Sequence, residues 1–400
     1  MINSTAHVID TAAMTAAGLS SFDYQPQTRV IFGPGSVSQI GSVVKSLNVS
    51  RVLLVTDPGI KKAGHEDRVK ELLESSGLTI HLYDQVTPNP TTDDVHRGVE
   101  FARSFNPEVI IALGGGSSMD AGKGINFVLT SGGQMQDYKG IGKAKGPMLP
   151  FIAIPTTSGT GSEAQSFAVI ADPRTHLKMA CGDKRAMAKV AILDPELTVT
   201  MPQHVTIVTG IDAISHAVET YVTTKRNPLS QMFSRTAWRM LVASFPRVLT
   251  NPADVDARGQ MLLGAHFAGL AIENSMLGAT HAAANPLSAH YDMAHGIAIG
   301  LMLPYVVRHN QSAASSLYAE LACDAGLCEI CDPAASEKLA SFLQSLAQQA
   351  GLPTTLRSAN VDFSLLGQLA SEASEQWTGT FNPRPMTVDD FQSLYASAMG

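Results

Sequence analysis

Asp212 and His216 stand four residues apart inside a helical pattern that runs from Val205 to Val222. Positions i and i+4 share one face of a helix, so the carboxylate and the imidazole can reach the same ion. An Asp-x3-His pair is common, and alone it reads as readily as an ordinary buried polar pair. A second group strengthens the metal reading. His281, His290 and His295 fall close together in a stretch rich in Ala, Gly and Met. An imidazole is costly to bury without a partner, so three in one apolar stretch imply that some are ligands. Spacing does not say which. His290, with His266 and His309, best suits the plainer role of a core histidine satisfied by a neighbour. One carboxylate with imidazoles suits Fe²⁺ or Zn²⁺, whereas Ca²⁺ and Mg²⁺ prefer shells of oxygen.

Other residues suit a phosphate. The apolar run Val109 to Leu113 leads straight into Gly114-Gly115-Gly116-Ser117-Ser118, with a helix expected from near Met119. Glycines let the backbone approach an anion, and the free N–H groups of the first helical turn face it. The turn is neither G-x-G-x-x-G nor a P-loop, and a glycine triplet after a strand often merely connects. Asp57 ends an earlier strand. A carboxylate there can accept from a ribose diol and repels a 2′-phosphate, or it can serve as a turn residue before Pro58-Gly59. Pro155 to Glu163 is dense in hydroxyls and glycine. It offers neutral donors to a phosphate or amide, or forms a polar connecting loop.

These residues need a scaffold. Arg51 to Thr56, Thr79 to Asp84 and Val109 to Leu113 read as buried strands. His65 to Ser75 carries helical spacing between the first two. A helix capped by Thr91 or Thr92, with Asp93 and Asp94 in its first turn, precedes the third. Further strands are expected at Phe151 to Ile154, Ser166 to Ala171 and Val190 to Leu193. This alternation implies a parallel sheet with helices on both faces. From His204 onward the pattern is helical, with Pro195 and Pro202 at the junction. The expected fold is therefore α/β plus all-α: a loose extension at 1–22, a Rossmann-like α/β nucleotide domain at 23–200 and a helical domain at 201–400.

Composition excludes several classes. The chain has 400 residues, 44% hydrophobic and 16% charged, which fits a folded protein. Lys plus Arg number 28 against 35 Asp plus Glu, a balance of 28 − 35 = −7. That gives no general attraction for nucleic acid or anionic membrane. The stretch Gly296 to Val307 is too short to span a bilayer, and the N-terminus lacks the pattern of a signal peptide. A cytoplasmic enzyme with reduced thiols is expected. Cys323, Cys328 and Cys331 form C-x4-C-x2-C, a spacing shared with some iron–sulfur proteins, although the plainer reading is three thiols around a helix end.

Taken together, the landmarks resemble the iron-containing (group III) alcohol dehydrogenases of the dehydroquinate synthase-like superfamily. They stand as Ile31-Phe32-Gly33-Pro34-Gly35, Thr56-Asp57, Gly114 through Lys123, Ile154 through Glu163, Leu193-Asp194-Pro195, Gly210 through Glu219 and Asn382-Pro383-Arg384-Pro385. The likeness covers the chain from about residue 22. It implies an active site in the cleft between the two domains and a homodimer. It implies Asp212, His216, His281 and His295 as ligands of Fe²⁺, with Zn²⁺ as the alternative. The phosphate turn becomes Gly114, Gly115, Gly116, Ser117 and Ser118, with Asp120 in the same motif. Thr156, Thr157, Thr160 and Lys178 join it on the cofactor side, and Asp57 implies NAD rather than NADP. The implied reaction is hydride transfer between nicotinamide and a small alcohol, aldehyde or ketone. Two rival activities share the scaffold: glycerol-dehydrogenase-like, and hydroxyacid–oxoacid transhydrogenase. A rival of another kind is a non-catalytic redox sensor built on the cysteines. One departure matters. Many relatives carry a further histidine four residues after the third ligand, and this chain has Asn285, which cannot pass a proton near neutral pH.

Overall fold

The structure is a computed structural model and describes residues 21–174, 178–329 and 331–400. The expected extension at 1–22 thus lies outside the described residues except for its last two positions. Nine strands are present among the described residues: β1 (Arg29–Phe32), β2 (Arg51–Val55), β3 (Thr79–Tyr83), β4 (Val109–Gly114), β5 (Gly140–Ile141), β6 (Phe151–Pro155), β7 (Phe167–Ala171), β8 (Lys178–Gly182) and β9 (Val190–Leu193). Six of them form one parallel sheet in the order β1-β9-β6-β4-β2-β3. The other three form a small sheet, β5-β8-β7.

The branched apolar runs explain the large sheet. Successive side chains of a strand point to opposite faces. Leu53 and Val55 of β2 therefore join Ile110 and Ala112 of β4 in one core. Val52 and Leu54 join Val109, Ile111 and Leu113 in the other. Helices cover both faces: α1 (Ile40–Ser46), α2 (Pro58–Lys62), α3 (His65–Glu74), α4 (Thr92–Arg103) and α5 (Gly116–Ser131). Thr91 caps α4 in a reciprocal box with Asp94.

The chain leaves β2 for β3 on one side of the sheet and leaves β4 for β6 on the other. In an open parallel sheet, the crevice beyond the carboxyl ends where connections part is where ligands bind. Asp57 and Gly114 both lie at that crevice.

The second half is helical: α6 (Gln203–Val222), α7 (Pro228–Thr250), α8 (Val255–Glu273), α9 (Ala279–Tyr291), α10 (His295–His309), α11 (Gln311–Asp324), α12 (Ala335–Gln349), α13 (Leu366–Ser374) and α14 (Val388–Ala398). The α/β plus all-α class is as expected. No helix among the described residues is long and apolar enough to cross a membrane. Three details differ from the sequence reading. Helix α5 starts at Gly116, not near Met119, because Gly115 is already its extended cap. The run at Pro58-Gly59 is a short helix with Asp57 as its cap. Strands β1, β5 and β8 were not foreseen, since β1 is a mostly exposed edge and β8 opens on exposed Lys178.

Helix α6 lies at the centre of the helical core, and glycines let its neighbours come close. A Cβ on Gly210 would meet the Phe245 ring at 2.5 Å. A Cβ on Gly296, in the first turn of α10, would stand 1.9 Å from the Val208 carbonyl oxygen of α6. Backbone cannot yield as a side-chain tip can. Gly296→Val is therefore expected to destabilise the protein by about 1–3 kcal/mol or more and to lower its metal content. Denaturant unfolding with metal analysis checks this, and wild-type values in both would refute the contact.

Candidate metal centre and cofactor cleft

Helix α6 presents Asp212 and His216 on one face, and Glu219 continues that face one turn later. His281 comes from the first turn of α9 and His295 from the first residue of α10. The four expected ligands thus arise from three helices, which packing brings together. Asp212 Oδ1 stands 3.3 Å from His216 Nε2, 3.5 Å from His281 Nε2 and 3.8 Å from His295 Nε2. The Nε2 atoms of His216 and His281 face each other at 3.1 Å. Asp212, His216 and His281 are buried, whereas His295 is half-buried on the open side. Among the described residues, Asp212, His216 and His281 are the group of three such donors whose ligating atoms gather within 4.8 Å.

The donor set fits a divalent cation. Asp212 Oδ1 is buried and meets no donor at hydrogen-bond geometry. Two donors held about 2.1 Å from one tetrahedral ion lie about 3.4 Å apart, close to the spacings found. The charges agree with this. Burial works against the Asp212 carboxylate, but His216, His281 and His295 hold it well below the usual range. Burial lowers His216, with Asp212 opposing. Burial also opposes charge on His281, yet Glu219 and Asp212 outweigh it and push its pKa up to about 9. Burial and the Lys178 ammonium hold His295 well below the ordinary imidazole value.

Glu219, the last residue of the Gly210 through Glu219 landmark, also belongs to this site, although it is not among the expected ligands. Its Oε2 pairs with His281 Nδ1, and its Oε1 accepts from the Thr280 N–H at 2.6 Å. A carboxylate behind an imidazole fixes the tautomer and turns the other nitrogen toward the ion. The signal was legible: Asp212, His216 and Glu219 share one helix face at i, i+4 and i+7.

The three histidines expected to be core residues face carboxylates elsewhere. His290 Nε2 lies 2.8 Å from Glu372, His266 Nδ1 lies 3.2 Å from Glu163, and His309 faces Asp390 at 3.8 Å. Asn285, one turn beyond His281, donates from Nδ2 to Gln376 Oε1 at 2.9 Å.

On the cofactor side, Gly114 has φ +148°, and a Cβ there would strike Ser118 Oγ at 2.3 Å. Gly115 and Gly116 open α5 with no side-chain cap, which leaves its first N–H groups free for an anion. Ser118 Oγ donates to Asp57 Oδ2 at 3.0 Å, while Asp57 Oδ1 caps α2 through Gly59 and Ile60. Asp57 is thus the turn residue of one reading and still lies at the crevice required by the other. Ser117 sits at the rim, its Oγ accepting from the Asn89 N–H at 3.3 Å.

The hydroxyl loop lies between these two sites. The Thr156 N–H bonds the Gly114 carbonyl at 2.9 Å. A Cβ on Gly115 would touch Thr157, and one on Gly116 would touch Thr160. On its other side, Gly159 leaves room for Thr209 of α6, and Gly161 packs backbone to backbone on Gly269 of α8. Lys123 locks the loop from beneath. Its fully buried ammonium donates to the carbonyls of Ser162, Gln165 and Phe167 and to Ser162 Oγ. Asp120 accepts from Ser162 Oγ at 2.8 Å, and burial pushes its pKa up to about 6. Asp120 therefore has a structural partner. Lys178, exposed at the start of β8, has its pKa lowered by surrounding protein, with Asp212 and Asp120 opposing.

Glu219→Gln keeps the shape of the side chain but removes the charge behind His281. Affinity for Zn²⁺ is expected to fall about 10–100-fold, read by calorimetric titration. Unchanged affinity would show that Glu219 does not support the site.

Comparison with known proteins agrees with this architecture. A family described as iron-containing alcohol dehydrogenase matches residues 26–195, and its C-terminal counterpart matches 206–399. The chain is 35% identical to alcohol dehydrogenase 4 of Schizosaccharomyces pombe over 371 residues, covering 92% of this chain and 87% of that protein. It is 32% identical to the NAD-dependent methanol dehydrogenase of Bacillus methanolicus, covering 92% and 97%. The solved structure of a 1,3-propanediol oxidoreductase superposes with a TM-score of 0.92 at 31% identity, covering 95% of this chain and 100% of the other. These likenesses do not favour the glycerol-dehydrogenase-like alternative.

Proposed function

The chain belongs to the iron-containing alcohol dehydrogenase family and is an NAD-linked oxidoreductase acting on CH–OH groups, and we propose that Asp212, His216, His281 and His295 hold its metal. The observation that carries this reading is the buried Asp212 oxygen without a donor, faced by three imidazole nitrogens. We assign Fe²⁺ from the family, with Zn²⁺ as the alternative that the donor set accepts equally. When bound, the cation supplies a Lewis acid for an alcohol or carbonyl oxygen.

The chain's own residues do the rest. The open N-terminus of α5, with Gly114, Gly115, Gly116, Ser117 and Ser118, receives the cofactor's diphosphate. Asp57 accepts from the ribose diol and repels a 2′-phosphate. Thr156, Thr157 and Thr160 supply hydroxyls beside that turn, and Asp120 holds their loop. Lys178 adds a positive charge to the cleft wall. The loop from Thr156 to Glu163 packs on both the glycine turn and helices α6 and α8, so it would set the spacing between a bound nicotinamide and the metal ligands on which hydride transfer depends. Asn285 cannot act as a proton relay. It holds Gln376 and brings no charge of its own. The assigned division is an extension at 1–22, a nucleotide domain at 23–200 and a metal domain at 201–400. The exposed apolar edge of β1, with Val30 and Phe32 open to solvent, supports a homodimer. The free thiols support a cytoplasmic location.

His281→Ala is expected to lose bound metal and NADH-linked turnover of aldehydes and ketones together, with the fold intact by circular dichroism. Full turnover without detectable metal would overturn the assignment. The wild type is expected to prefer NAD over NADP by about tenfold or more in kcat/KM, a difference of roughly 1.4 kcal/mol. Asp57→Asn keeps an acceptor for the α2 cap and should narrow the ratio. Equal or better kcat/KM with NADP in the wild type would refute the role of Asp57.

A further inference from the structure

The metal and cofactor sites make no use of the three clustered cysteines. Among the described residues their sulfurs do not gather as a group of three, but two of them form a pair. Helix α11 ends in a double-bonded reversal. The Gly326 N–H bonds the Cys323 carbonyl at 2.9 Å, and the Leu327 N–H bonds the Ala322 carbonyl at 2.9 Å. Gly326, at φ +70°, supplies the left-handed residue this motif needs. The reversal lays the next residue, Cys328, over Cys323, and the two sulfurs stand 4.0 Å apart. Both are half-buried, and with Gly326, Leu327 and Glu329 they line an open surface pocket of about 500 Å³.

The pair does not depend on loop geometry alone. Asp324, between the two cysteines, accepts from Arg235 Nε at 2.5 Å and Arg239 Nη2 at 2.6 Å. Glu320, one turn earlier, accepts from Arg235 Nη1 at 2.9 Å. These bonds pin the end of α11 to α7. Cys331 is exposed and Cys181 is buried in the α/β domain, so neither competes for the contact.

We propose that Cys323 and Cys328 are a dithiol site that closes to an intrachain disulfide by exchange with a low-molecular-weight disulfide. One thiolate attacks the reagent's S–S bond, forming a mixed disulfide and releasing one thiolate. The second cysteine attacks the protein sulfur of that bond, forming Cys323–Cys328 and releasing the other. Two protein thiols are oxidised, one reagent disulfide is reduced to two thiols, and the two protons pass to the released thiolates. A bond of about 2.05 Å requires each sulfur to move about 1 Å, within the reach of side-chain rotation. The ring closed is six residues, so the bond tightens the helix end rather than the whole fold.

The test uses the full-length, metal-loaded enzyme in glutathione buffers of increasing oxidised fraction, with alkylation and peptide mass mapping. The wild type is expected to lose alkylation at both Cys323 and Cys328, with a peptide lighter by two hydrogens and full recovery in dithiothreitol. Cys331→Ser should leave this unchanged. Cys323→Ser and Cys328→Ser should each stop at one glutathione on the remaining thiol. The proposal fails if Cys323 and Cys328 stay alkylatable throughout, if each carries its own glutathione, or if the bond forms through Cys331.

Discussion

A carboxylate and imidazole lone pairs facing one another in an apolar helical core are a liability. Each group is taken out of water, and each points its electron density at the same small volume. Asp212 Oδ1 gains no donor in return. Such an arrangement is stable only when positive charge sits between the groups, as a proton or as a cation. Much else in the helical half follows from maintaining it. The close approach allowed by Gly210 and Gly296 sets the spacing of α6 against α7 and α10. Ala279, Ala282, Ala283 and Ala284 of α9, all fully buried, bring His281 to α6 without bulky intermediates. Glu219 stands behind His281 and turns its free nitrogen inward.

A metal site alone does not make a dehydrogenase. The nicotinamide must also lie within contact of the reacting carbon, and the residues proposed for the two sites belong to different halves of the chain. The segment from Thr156 to Glu163 spans them. Its threonines lie against the glycine turn at the carboxyl end of β4, and its glycines lie against α6 and α8. Lys123 ties this loop down from beneath. A buried ammonium requires acceptors, and four lie within its reach, the two oxygens of Ser162 and the carbonyls of Gln165 and Phe167. In the proposed reading, the residues that space the two sites are therefore mostly not the proposed metal ligands.

The sheet was legible because its central strands are short, branched and apolar, with caps and glycines at their ends. β1 was not, because an exposed edge carries no alternation. The α5 start was misplaced by three residues, since a glycine turn and a first helical turn look alike in sequence. Asp212, His216 and Glu219 are local to one helix and could be read from spacing, although Glu219 was passed over. Choosing among His281, His290 and His295 could not be local. It depends on which side of α9 faces α6 and on α10 starting at His295, and both follow from tertiary packing. Family likeness supplied that choice. The hydrogen bond from His290 to Glu372, 82 residues away, is likewise invisible to any local pattern.

Asn285 shows how a single residue changes the character of such a wall. A histidine there would be one turn from His281 and could exchange protons with solvent. An amide cannot, and its donor is committed to Gln376. Gln376 precedes Trp377, whose ring lies 6.1 Å from Phe167 of β7. The amide pair therefore links α9 to a segment that reaches back to the α/β half. Replacing an ionisable group by a neutral one removes a titration from the cleft and adds a positional constraint. At this position the side chain fixes geometry and carries no proton, while the carboxylate and imidazoles gathered at Asp212 are left as they are.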